Sequence, residues 1–137
     1  MAGINLVLDT NVFVTYARYG RLQNLVQCVL YHQLNLLVDG TLLAEIDDVL
    51  RRPGVLKADV ITAGDVVPFI REFTIRVVTR TAYTLSPDPE DNYLFDIALQ
   101  YKALVIVTDE KALLNFGASP VAIRSLQWFK ENFPRPV

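Results

Sequence analysis

The chain has 137 residues, the size of one compact domain over 1–137. With 52% hydrophobic and 20% charged residues it can fill a core, which excludes a chain disordered by composition. The net charge of −2 excludes a protein that coats nucleic acid by charge alone, although an acid cluster around a metal lowers the global charge while local cations still follow phosphates.

In chain order, Ile4–Leu8 reads as a buried strand, short and apolar without alternation. Asn11 is placed to cap a helix over 12–31 that breaks at Gly20. Leu34–Val38 is a second strand, the "DGT" of 39–41 a turn with a cap, and 42–52 a helix ended by Pro53-Gly54. Thr62 caps a helix to about Phe73, and Ile75–Thr79 reads as a strand. The prolines of "SPDPED" (86–91) predict a loop without regular structure. Asp91–Tyr101 is a helix, Leu104–Val107 a strand, Lys111–Asn115 a short helix and Val121–Ile123 a last strand. Ser125 caps a closing helix that Trp128, Phe129 and Phe133 pack down. Short apolar strands alternating with helices predict an α/β domain with a parallel sheet covered on both faces. Ligands in such sheets sit at the carboxyl ends of strands.

Two strands run into acids there, the first into Asp9 and the fourth into Thr108-Asp109-Glu110. Helix capping explains either acid alone. On a wheel of about 100° per residue, Asp91 falls on the apolar stripe of Leu94, Phe95, Ala98 and Tyr101, and Asp96 falls nearly opposite, towards solvent. An acid on a buried stripe is costly unless paired or metal-bound. In the 42–52 helix, Glu45 and Asp47 lie on opposite borders of the apolar stripe and Asp48 faces away, so the wheel does not choose between the first two. Cys28, the only cysteine, cannot form an internal disulfide. With His32 the only histidine, a His/Cys zinc cage is excluded, and the pair reads as filler on an apolar helix. A metal would be held by oxygen, which selects Mg²⁺ or Mn²⁺. No stretch reaches the roughly 20 apolar residues of a membrane span, and no signal peptide is expected, so we expect a cytoplasmic protein.

The blocks "LDTNVF" (8–13), "LLAEIDDVLRRP" (42–53), "DPEDNYLFDIAL" (88–99) and "VIVTDEKALL" (105–114) resemble the four motifs of PIN-domain proteins. The likeness is nearest to the bacterial and archaeal branch that includes toxins of toxin–antitoxin pairs. It implies a three-layer α/β/α sandwich and a Mg²⁺- or Mn²⁺-dependent ribonuclease, with RNA as substrate, an antitoxin as partner and a homodimer as assembly. By resemblance the family's first three acids fall on Asp9, Glu45 and Asp91 rather than Asp88 or Asp96. The fourth departs from the usual Thr-x-Asp: counting from Thr108 reaches Glu110, with Asp109 in the variable position, so both stay candidates.

Phosphodiester hydrolysis needs an activated water and stabilised phosphate charge, which a carboxylate-held Mg²⁺ supplies. Asp9 and Asp91 are the expected ligands, Asp109 or Glu110 completes the set, and Glu45 positions a water or takes its proton. Asn11 and Thr108 orient these groups. Arg18, Arg21, Arg51, Arg52 and Lys57 are candidates for phosphate contact, and Tyr16, Tyr19, Tyr83 and Tyr93 for base stacking. A binding module with weak or no catalysis is the rival reading. An aspartyl-phosphate phosphatase would show Asp-x-Asp where this chain has Asp-Thr-Asn, and a receiver domain would show an early acidic pair; neither pattern is present.

Overall fold

The computed structural model describes residues 3–57 and 62–137. Five strands form one sheet: β1 (Ile4–Leu8), β2 (Leu34–Val38), β3 (Ile75–Arg76), β4 (Val105–Val107) and β5 (Ala122–Arg124), in the order β3-β2-β1-β4-β5. Every pairing is parallel. Parallel neighbours require crossovers, which are supplied by α1 (Thr10–Arg18), α2 (Leu22–His32), α3 (Gly40–Leu50), α4 (Ala63–Phe73), α5 (Asn92–Gln100) and α6 (Lys111–Leu114). A closing helix, α7 (Leu126–Asn132), follows β5. Helices on both sides of the sheet make the α/β/α sandwich. β2 is buried throughout, and Leu6, Val7, Leu8, Val105, Ile106 and Val107 of the two central strands are at most 1% exposed. That explains why these runs lack the alternation of a half-exposed strand.

The strand order reverses direction at β1. The chain steps outward through β2 and β3, returns to the other side of β1, and steps outward again through β4 and β5. Residues Leu6–Leu8 pair with Val105–Val107, and Asp9 N–H continues the ladder to Val107 O at 2.9 Å. The ends of β1 and β4 therefore lie side by side at the switch point, where open α/β sheets leave a crevice.

Several boundaries differ from the sequence expectation. Asp9, not Asn11, caps α1: its Oδ1 accepts from Thr10 N–H at 2.7 Å. The break expected at Gly20 is present, where that residue takes φ 68°, and it divides the 12–31 stretch into α1, which starts earlier at Thr10, and α2. The cap expected in "DGT" is Asp39, but in place of a turn Gly40 and Thr41 already belong to α3. Thr62 precedes α4 but makes no capping bond, its hydroxyl donating instead to Asp65 Oδ2. β3 is shorter than expected, pairing only Ile75 and Arg76 with Leu37 and Val38. The 86–91 segment is not wholly irregular: Pro89–Asp91 form a 3-10 turn, because a proline at the start of a helical turn gives up only an N–H that has no partner there. Among the described residues, no helix is long and apolar enough to cross a membrane.

Candidate metal centre

Asp9 sits at the C-terminal end of β1 with both carboxylate oxygens in use. Oδ1 caps α1, while Oδ2 accepts from Thr108 Oγ1 at 2.8 Å and from Asn11 Nδ2 at 3.1 Å. One side chain thus both caps α1 and accepts from Thr108 at the end of β4. Burial pushes its pKa up to about 6 despite the bonds from Thr108 and Thr10, and the charges of Glu110 and Glu45 add to the rise. Thr108 and Asn11 also hold the neighbouring strand end. Thr108 Oγ1 accepts from Glu110 N–H at 3.0 Å, and Asn11 Oδ1 accepts from Asp109 N–H at 3.2 Å. The backbone after β4 is thereby set by two side chains that also touch Asp9.

Asp91 closes the 3-10 turn as the residue before α5, and its apolar-stripe position buries it at 8% exposed. Its Oδ2 is buried without a hydrogen-bond partner. Burial, then the facing Glu110 carboxyl, then the charges of Asp9 and Asp88, raise its pKa well above the carboxylate range. Asp88, Asp91 and Glu110 each place a carboxylate oxygen within 4.8 Å of the others. Asp88 also caps the turn through Glu90 N–H at 3.0 Å. The Asp-Pro-x-Asp spacing carried a signal for Asp88, because residues three apart eclipse one another in a 3-10 turn.

Glu45 extends from α3 to accept a 2.7 Å hydrogen bond from the Tyr93 hydroxyl. Burial, with the charges of Asp9 and Glu45, keeps that hydroxyl protonated. Sequence reasoning considered Tyr93 only as a base-stacking ring. Its place two residues past Asp91, in the first turn of α5, was the available clue. Asp47, the other border acid, pairs with Arg51 at 3.0 Å, and Asp48 pairs with Arg52 at 3.0 Å on the exposed face.

The remaining candidates lie elsewhere. Asp109 is exposed, and its Oδ1 accepts from Leu126 N–H at 3.0 Å at the start of α7. Asp96 does not face solvent as the wheel predicted. It is 5% exposed, because the segment after β3 folds over α5 and donates Ala82 and Tyr83 N–H to Asp96 Oδ1 at 3.1 and 3.0 Å. Arg51 and Arg52 have their charges engaged by Asp47 and Asp48, and the Arg18 guanidinium lies 5.7 Å from the Tyr19 ring centre. Cys28 is buried in the core, and His32 bonds Pro134 O at 2.7 Å, as befits filler.

Asp88, Asp91 and Glu110 thus form one cluster, and Asp9 and Glu45 stand near enough for charge to couple Asp9 to Glu110, Glu45 and Asp91. A cation that accepts oxygen donors would relieve their mutual repulsion and the orphaned Asp91 oxygen. The donor set fits Mg²⁺ or Mn²⁺ better than a thiophilic metal.

The PIN domain family model matches residues 5–112. Among solved structures, the chain is similar to the PIN domain of human SMG5, at 14% sequence identity and TM-score 0.54, covering 93% of this chain and 97% of that one. It is also similar to the PIN domain endonuclease Utp24, at 17% identity and TM-score 0.52, covering 89% of this chain and 84% of that one. At these identities the two structures bear on the fold alone. No curated protein sequence matches significantly. From the family match over most of its length, the chain belongs to the PIN domain family.

Proposed function

We propose that the chain is a single-domain endoribonuclease, dependent on Mg²⁺ or Mn²⁺, that hydrolyses RNA phosphodiester bonds at the acid crevice. The observation that carries this reading is the buried, unpartnered Asp91 Oδ2 in a cluster with the carboxylates of Asp88 and Glu110. Family membership supports a nuclease, and the Utp24 domain is described as an endonuclease.

Asp9, Asp91 and Glu110 are assigned to hold the ion, with Asp88 at its edge. When bound, the ion supplies charge to the phosphate oxygens and lowers the pKa of a water. The protein's own groups do the rest. Glu45 orients the attacking water and takes its proton, with the Tyr93 hydroxyl fixing one carboxylate oxygen so that the other faces the crevice. Asn11 and Thr108 hold Asp9 and the Glu110 backbone in register. We assign the fourth acid to Glu110 because Asp109 spends its carboxylate on the N-terminus of α7.

The motif resemblance extends the proposal to a cytoplasmic toxin, acting as a homodimer and held in check by an antitoxin. A small DNA-binding protein encoded beside this chain is the partner to test by co-purification.

The deciding experiment is RNA cleavage with Mg²⁺ or Mn²⁺, comparing the wild type with Asp9→Asn and Asp91→Asn. Metal-dependent cleavage lost in both variants is expected. Stabilisation by metal without cleavage of any RNA would replace the nuclease with a metal-holding binding module. Neither effect would overturn the metal site as well.

A further inference from the structure

A second concave site lies at the far end of α1. The cavity is about 450 Å³, within the roughly 300–1,000 Å³ of small-ligand pockets. Its lining includes three cations, Arg21, Lys130 and Arg135, and no acid, in a chain where acids outnumber Lys and Arg by 15 to 13. The ion pairs found among the described residues are Arg51–Asp47 and Arg52–Asp48, so none of these three cations faces a carboxylate partner. Arg135 instead donates to Asn24 Oδ1 at 2.9 Å, which holds it across the cavity from α7.

Aromatic faces share the site. Lys130 Nζ lies 5.9 Å from the centre of the Tyr16 ring, and the Arg21 guanidinium 5.7 Å from that of Tyr19. Tyr16 is 8% exposed and forms part of the packed wall, whereas Tyr19 is 54% exposed, with the Arg18 and Arg21 guanidiniums each 5.7 Å from its ring centre. Unpaired cations beside an exposed ring suit a ligand that is anionic at one end and flat and aromatic at the other.

The position of the cavity relates it to the acid crevice. Thr15 Oγ1 donates to Asn11 O at 2.8 Å, so Asn11, at the crevice, and Thr15, at the cavity, are successive members of one helix stripe that continues to Tyr19. Eight residues of helix span about 12 Å. At about 3.4 Å per stacked nucleotide that is three or four nucleotides.

We propose that this cavity is a second nucleotide subsite, in which a base stacks on Tyr19 and its phosphate meets Arg21, Lys130 and Arg135. It would anchor single-stranded RNA three or four nucleotides from the bond placed in the acid crevice. The link to cleavage rests on the ribonuclease reading above; the binding itself does not.

The test separates the two. Trp128 is the only tryptophan, and its ring centre lies 6.0 Å from that of Phe133, which lines the cavity. Its fluorescence can report occupancy while EDTA keeps the acid crevice free of metal. The probes are 5′-UMP, a short oligouridine and inorganic phosphate. The proposal expects both nucleotide probes to bind more tightly than phosphate. It also expects a Lys130→Gln/Arg135→Gln variant to lose about tenfold in oligouridine affinity, with a shallower salt dependence by about 0.7 per lost contact. Tyr19→Ala should weaken both nucleotide probes and leave phosphate unchanged. All three side chains are exposed, so these variants keep the fold. Equal affinity and salt slope in wild type and variants, no nucleotide binding by the wild type, or phosphate binding as tightly as 5′-UMP would each overturn the proposal. Retained nucleotide binding without metal-dependent cleavage would sink the ribonuclease reading and leave the subsite standing.

Discussion

The Tyr93 hydroxyl donates a 2.7 Å hydrogen bond to Glu45 Oε2 and so joins α5 to α3 over the acid crevice. A bond to a charged acceptor contributes about 1.5–3 kcal/mol. Tyr93→Phe keeps the ring and frees the carboxylate. Steady-state kinetics on an RNA substrate should show kcat lower by about tenfold with KM little changed, and a melt should show the fold retained. An unchanged kcat would reduce Tyr93 to a core aromatic.

The acid cluster sets a dependence on pH. Burial lifts the Asp9 pKa from 3.8 to about 6 in the folded state, so the folded protein binds the proton more tightly than the unfolded chain does. The stability this group contributes is complete below about pH 4 and is lost as pH rises through 6, a loss of roughly 3 kcal/mol for that shift. The raised pKa of Asp91 carries the decline to higher pH. Without metal, denaturant midpoints should therefore fall between pH 4 and pH 7. Saturating Mg²⁺ should reverse the fall by binding the ionised cluster. Midpoints that rise over this range in EDTA would contradict the burial argument.

Asp109 and Glu110 are adjacent and should behave oppositely. Glu110→Gln removes a charge facing Asp91 and should raise the melting temperature without metal while shrinking the shift that Mg²⁺ produces. Asp109→Ala removes the acceptor of Leu126 N–H and should cost about 1 kcal/mol, with the Mg²⁺ shift intact. Thermal melts of both variants with and without metal would expose a reversed assignment.

Asp39 supplies a control. It too is a buried acid after a strand, but its Oδ1 caps α3 through Leu42 N–H at 2.8 Å and its Oδ2 accepts from Thr79 Oγ1 at 3.4 Å. Asp39→Ala should cost about 1–2 kcal/mol in chemical denaturation, with metal-induced stabilisation preserved. Loss of the metal response at full folding would bring Asp39 into the site.

The strands were legible because burial on both faces demands unbroken apolar runs, and Leu6-Val7-Leu8 and Val105-Ile106-Val107 are such runs. The helix break at Gly20 was legible because the chain there takes a backbone conformation that favours glycine. The acids after β1 and β4 were legible as a pair, since parallel strands bring their C-terminal ends to one edge. Helical periodicity also placed Asp91 on a buried stripe. The Asp96 prediction failed because a wheel describes one helix and not what later covers it. Here the 80–83 segment lies over the polar face and satisfies the carboxylate with two N–H groups.

The sequence by itself determined a parallel α/β domain, two strand-end acids and a buried acid that needs a counter-charge, because periodicity and the cost of burying charge act within short segments. Tertiary structure alone decided that Glu45 rather than Asp47 reaches Tyr93, and that Glu110 rather than Asp109 faces Asp91. Those outcomes turn on contacts between segments far apart in the chain, where a carboxylate goes to whichever N–H, hydroxyl or opposing charge the packed fold brings within hydrogen-bonding reach.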